Sequence, residues 1–158
     1  MEKVNLALKI LLVDDSPTMR RIIGKFLTNN GFVHVLEAGN GLEALELMDL
    51  TGVDLIVSDL HMPIMDGLIF LEKIKANSRT RDIPFIMLTV EATQKTMNKA
   101  LSMKIDSYIV KPITEKLFME ELLRVIHHPR DKNPEDINPE DINSEDGDPE
   151  DRGGPLAI

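Results

Sequence analysis

Apolar residues along this chain follow two alternating rhythms. Short, largely apolar runs occupy residues 8–13 (LKILLV), 32–38 (FVHVLEA), 53–58 (VDLIVS), 83–88 (IPFIML) and 105–110 (IDSYIV). Between them apolar residues recur at spacings of three and four, the signature of one helix face. Met19, Ile22, Ile23, Phe26 and Leu27 form the first such face. Leu42, Leu45 and Met48, flanked by Ala44 and Leu47, form the second, and Leu68, Ile69, Leu71 and Ile74 the third. A fourth helix is predicted over residues 91–102, where Ala92, Met97, Ala100 and Leu101 supply nearly all the apolar surface. Leu117, Phe118, Leu122, Val125 and Ile126 complete the set. Local signals mark the joints. Ser16-Pro17 is a cap followed by a proline whose missing N–H costs nothing at the first helical position. Asn29-Asn30-Gly31 ends that helix, Gly39-Asn40-Gly41 makes a turn, and Thr114 caps the last helix.

Strand and helix therefore alternate five times. Continuous apolar strands of this kind belong in a parallel sheet covered by helices on both faces, with right-handed crossovers. The predicted class is a doubly wound α/β domain over residues 1–128. After that the pattern stops. Residues 129–158 are rich in Pro, Asn and acids and repeat the unit Pro-Glu-Asp-Ile-Asn at 134–138 and 139–143. Ten acids against three bases give this stretch a net −7 of the chain's −9, leaving about −2 for the rest. So little apolar surface cannot offset the entropy of ordering, and an acidic, disordered tail is expected.

Composition narrows the function classes. The near-neutral domain lacks the basic patch of a nucleic-acid binder. No Cys is present, so disulfides and thiolate metal sites are excluded, as suits a cytoplasmic protein. No segment approaches the roughly 20 apolar residues of a membrane span, and the N-terminus does not read as a signal peptide.

In a doubly wound sheet, functional groups gather beyond the carboxyl ends of the strands. Those ends carry Asp14 and Asp15, then Asp59, then Thr89, then Lys111. Three carboxylates on one rim repel each other unless a cation lies among them. Oxygen ligands without thiolate or a His cluster favour Mg2+ or Mn2+. A carboxylate beside such an ion, with an ammonium and a hydroxyl opposite, suits a phosphoryl group, and the carboxylate is then a candidate nucleophile.

The motifs LLVDDSP at 11–17, SDLHMPIMDG at 58–67, LT at 88–89 and YIVKP at 108–112 occur in that order at those strand ends. Over residues 9–127 the chain resembles the receiver domain of two-component response regulators, of the single-domain CheY kind. The resemblance implies a flavodoxin-like, five-stranded parallel sheet of order 2-1-3-4-5. It implies that Asp59 is the phosphoacceptor, that Asp14, Asp15 and the backbone carbonyl of His61 join Asp59 around Mg2+, and that Thr89 and Lys111 contact the phosphoryl group. It further implies a cis bond before Pro112 and a switch role for Tyr108, whose rotamer follows Thr89. A sensor histidine kinase or histidine phosphotransfer protein would be the donor. A protein target would bind the face made by the fourth helix, fifth strand and last helix, in a chemotaxis-type or phosphorelay output, since no output domain is expected after residue 128.

Some positions depart from the family pattern. Val90 stands where Ala or Gly is usual, which narrows access to the acceptor, and His61 and Glu91 stand where dephosphorylation is tuned. Lys104-Ile105 replaces the usual Gly-Ala before the fifth strand and leaves the shape of that turn open. The alternative from another class is a metal-dependent phosphohydrolase with an aspartyl nucleophile. Such enzymes commonly carry a second acid two residues after the nucleophile, where this chain has His61.

Overall fold

A computed structural model describes residues 3–128. The disorder expected for 129–158 lies outside the described residues. The elements run β1 (Lys9–Val13), α1 (Pro17–Asn29), β2 (His34–Ala38), α2 (Gly41–Leu50), β3 (Leu55–Ser58), α3 (Gly67–Ala76), β4 (Phe85–Thr89), α4 (Gln94–Ser102), β5 (Ser107–Val110) and α5 (Glu115–His127). The strands form one parallel sheet in the order β2-β1-β3-β4-β5, the flavodoxin-like architecture expected.

Alternate strand residues face opposite layers, and both layers are covered, so the runs read as continuously apolar. Leu11, Ile56, Phe85 and Met87 pack with Ala44, Phe70, Leu71, Met97 and Ala100 of α2, α3 and α4. Ile10, Leu12, Val57 and Ile86 pack with Ile23 and Leu27 of α1 and Phe118 and Leu122 of α5. The register places Val13 beside Ser58 and Thr89 beside Val110, which brings the strand ends to one rim. Every helix starts from a capped N-terminus at that rim: Ser16, Asn40, Asp66, Thr93 and Thr114 each accept a hydrogen bond from the backbone N–H three residues on.

The structure corrects several details of the pattern. The fourth helix starts at Gln94 behind a Thr93 cap, so Glu91 belongs to the loop before it. Ile22, Leu42, Ile69 and Leu117, assigned to helix faces, are exposed, whereas Phe70 and Met119 are buried. Phe32 and Val53 are buried but precede their strands.

The turn left open by Lys104-Ile105 is settled by backbone geometry. Lys104 follows the C-cap Met103 and adopts φ 65°, the left-handed conformation that glycine favours at this helix exit. Lys104→Gly should therefore stabilise the fold. Relief of the left-handed penalty, roughly 1–2 kcal/mol, less the added freedom of the unfolded chain, about 0.4–1 kcal/mol, leaves about 0.5–1 kcal/mol. Urea unfolding of both proteins checks this, and a lower midpoint for the glycine variant would contradict it.

Candidate functional site

Asp14 and Asp59 reach the rim because β1 and β3 are paired there. The Asp14 N–H donates to the Ala38 carbonyl at 3.0 Å, and the Asp59 N–H donates to the Val13 carbonyl at 2.8 Å, so the ladder extends through both acids. Asp15 follows, exposed, in the turn into α1. Asp14, Asp15 and Asp59 each offer a carboxylate oxygen, and these oxygens lie within 4.8 Å of one another.

Lys111 enters from the end of β5, where its N–H donates to the Thr89 carbonyl at 2.8 Å. The Lys111–Pro112 peptide is cis, as expected. The Lys111 Nζ lies 3.2 Å from Asp14 Oδ2 and 3.3 Å from Asp59 Oδ2. All three side chains are largely shielded, at 11% exposure for Lys111, 12% for Asp14 and 13% for Asp59, so the ammonium acts across a poorly screened gap. The other oxygen of each acid is held by backbone. Ser16 N–H donates to Asp14 Oδ1 at 2.9 Å, and Leu60 N–H donates to Asp59 Oδ1 at 2.6 Å.

These groups do not balance. One ammonium faces three carboxylates, and the Asp14 carboxyl is pushed above its ordinary value, first by burial and then by the charge of Asp59, against the pull of Ser16 N–H and Lys111. An all-oxygen donor set with excess negative charge fits a hard divalent cation such as Mg2+ or Mn2+. Asp14, Asp15 and Asp59 are the side chains that would hold it.

The β4–α4 loop forms the far wall. Thr89 is fully buried, and its Oγ1 accepts the Glu91 N–H at 3.3 Å. Glu91 is a hub. Its carboxylate accepts hydrogen bonds from the hydroxyls of Thr93 and Thr96, and His61 Nε2 lies 2.6 Å from it. The two hydroxyls hold its carboxyl below the usual value. Its backbone carbonyl accepts the Tyr108 hydroxyl at 2.8 Å. Tyr108 is fully buried, and burial, with the charges of Glu91 and Asp59, pushes the phenol well above its ordinary value. His61 has a largely exposed side chain, and Val90 is 68% exposed at the rim.

Sequence patterns passed over four residues here. Arg20 donates to the Asp14 carbonyl through Nη1 and to Glu37 Oε1 through Nε, bracing β1 against β2. Ser58 donates its hydroxyl to the Asp59 carbonyl at 2.8 Å. Asp66 caps α3 and, with Asp15, His61, Met62 and Pro63, lines an open depression beside the acid cluster. A capping-type acid two residues before the apolar run that starts at Leu68 was the available signal for Asp66. Gly67 lies directly against the Asp59 backbone.

Comparison with known proteins agrees with this layout. Residues 10–123 match the response regulator receiver domain. The chain is 41% identical over 116 residues to the chemotaxis protein CheY1 of Helicobacter pylori, covering 73% of this chain and 94% of that protein. It is 41% identical over 120 residues to a chemotaxis protein CheY homolog of Campylobacter jejuni, covering 75% and 92%. The solved structure of the chemotaxis response regulator CheY4 of Vibrio cholerae superposes with a TM-score of 0.70 at 30% identity, covering 75% of this chain and 98% of that one.

Proposed function

The chain belongs to the response regulator receiver domain family, and from that premise we propose that it is a signalling switch whose Asp59 accepts a phosphoryl group from the phosphohistidine of a sensor histidine kinase or histidine phosphotransfer protein. The carrying observation is the single ammonium of Lys111 set between Asp14 and Asp59 on a rim that holds a third acid, Asp15. An Asp59 carboxylate oxygen attacks phosphorus. The bond from phosphorus to the donor's imidazole nitrogen breaks, the electron pair leaves with nitrogen, and an acyl phosphate remains on Asp59. Lys111 moves from neutralising carboxylates to neutralising phosphoryl oxygen, and the Thr89 hydroxyl is the second donor. Asp14, Asp15 and Asp59, with the His61 backbone carbonyl, would hold a Mg2+ or Mn2+ ion, which would supply further charge neutralisation.

Receiver domains are signalling proteins rather than enzymes acting on a separate substrate, so the outcome here is a changed surface. Thr89, Glu91 and Tyr108 are linked in series by hydrogen bonds, which carries a displacement of the β4–α4 loop to β5. The α4 helix buries only Met97 and Ala100, and an element with so few buried contacts is readily biased. A protein target would read the α4–β5–α5 face in the cytoplasm. Among the described residues no helix is long and apolar enough to cross a membrane. Val90, exposed next to Thr89, and the His61–Glu91 pair would set access for donors and for the water that hydrolyses the acyl phosphate.

The test is incubation with acetyl phosphate and Mg2+. Native protein should acquire acid-stable, hydroxylamine-labile phosphate, and Asp59→Ala should acquire none. No labile phosphate on the native protein, or equal uptake by both, would overturn the assignment.

A further inference from the structure

One charged surface is unused by the phosphoryl chemistry. Residues 92–105, which contain α4, hold Lys95, Lys99 and Lys104 and no acid. All three lysines are exposed, and among the described residues none pairs with a carboxylate. The helix dipole accounts for Lys99 in the last turn but disfavours Lys95 in the first. On the same side of the sheet α2 shows the reverse pattern, with Glu43, Glu46 and Asp49 and no base. This layer is polarised by charge rather than mixed, and its basic end coincides with the proposed output face.

The chain supplies a complementary segment, and it starts at the right edge. Arg124 Nη2, in the last turn of α5, donates to the Asp106 carbonyl at 2.9 Å, so α5 ends close to the turn that holds Lys104. Residues 129–158 continue from there and carry net charge −7. Their acids recur in pairs every five residues, at Glu135-Asp136, Glu140-Asp141, Glu145-Asp146 and Glu150-Asp151. Six residues lie between His128 and Glu135, and the seven chain steps give a contour of up to about 25 Å. Lys104 to Lys95 spans only about 14 Å along a helix axis. The tether is therefore longer than the basic face itself. Ile137 and Ile142, one after each of those pairs, give the segment an apolar residue to set against the half-exposed Leu101 and Met103.

We propose that residues 134–151 dock in cis on the Lys95–Lys99–Lys104 face of α4. The contact itself does not need Asp59 to be phosphorylated. Its consequence rests on the output face proposed above: the acidic segment covers α4, and a target must displace it. The attraction is between exposed charges, so salt weakens it.

The absence of Cys allows a direct test on the full-length chain. Asn143→Cys, outside the acid pairs, takes a single nitroxide, and amide signals are compared with the label oxidised and reduced. Residues of α4 should lose signal selectively relative to α2. The loss should fade at about 1 M salt, where charges are screened within about 3 Å, and in Lys95→Glu/Lys99→Glu, whose exposed positions leave the core intact. No selective loss, or loss that survives the double substitution, overturns the proposal. So does loss that appears only when a spin-labelled, isotope-free chain is mixed with an isotope-labelled one, because the contact is then between copies. Acetyl phosphate labelling of the double variant reads the Asp59 assignment separately, so failure of either idea is distinguishable from failure of the other.

Discussion

Gly67→Ala should cost the fold about 3 kcal/mol, the upper end of overpacking penalties, and should displace the acceptor. A Cβ at Gly67 would overlap the Asp59 carbonyl oxygen and would lie 2.9 Å from Leu60 Cα and 3.1 Å from the Asp59 carbonyl carbon. All three are backbone atoms, so no side chain can rotate away. The glycine is also pinned, because its N–H donates to the Leu60 carbonyl at 2.7 Å. Relief requires residues 59–60 to move, and with them the carboxylate that Leu60 N–H and Lys111 hold. Gly41→Ala is the matched control. There the nearest atoms are Met65 Cγ and Sδ at 2.9 Å, on a side chain that can shift, and Phe70 Cβ at 3.0 Å, which needs only a few tenths of an ångström from α3, so a smaller loss of about 1–2 kcal/mol is expected. Urea unfolding ranks the two variants, and acetyl phosphate labelling of the folded fraction reads the acceptor. Equal midpoints would show that the Asp59 backbone yields more easily than its contacts indicate.

That contact also shows what the sequence could and could not reveal. The strands were legible because burial on both faces turns each into an apolar run, and five such runs separated by helix-period segments admit few topologies. The rim residues were legible because chemistry-bearing side chains stood immediately after those runs. Helix faces were less so. Ile69 and Phe70 are adjacent and both apolar, and only the position of the sheet decides that Phe70 is inside. Leu117 and Met119 pose the same ambiguity. The hydrogen-bond network was not legible at all. His61 and Glu91 are thirty residues apart, and their pairing depends on two loop conformations. Arg20 reaches Asp14 and Glu37 only because β1 and β2 are neighbours. Gly67 stood in the sequence only as the end of the 58–67 motif, and its role is space beside Asp59.

Asp14→Asn should reverse its effect on stability when Mg2+ is added. With a chelator present at neutral pH, the substitution removes one of three crowded carboxylates while Asn Oδ1 still accepts the Ser16 N–H. The folded-state value of the Asp14 carboxyl is raised above the ordinary 3.8, so its ionised form opposes folding. The contribution of this group is favourable below that ordinary value and is lost as pH rises through the folded one. Metal-free Asp14→Asn should thus be more stable than the native chain at neutral pH, by on the order of 1 kcal/mol. The difference should shrink as pH falls toward 3.8, because the native acid, with its raised value, takes up its proton before that point is reached. Saturating Mg2+ acts the other way. At a hundred times its Kd a ligand adds about 2.7 kcal/mol, and a site that has lost Asp14 captures less of it. The native chain should then be the more stable of the two. Urea midpoints with chelator and with Mg2+ test this directly. The same order under both conditions would mean that Asp14 neither suffers from the crowding nor shares in holding the cation.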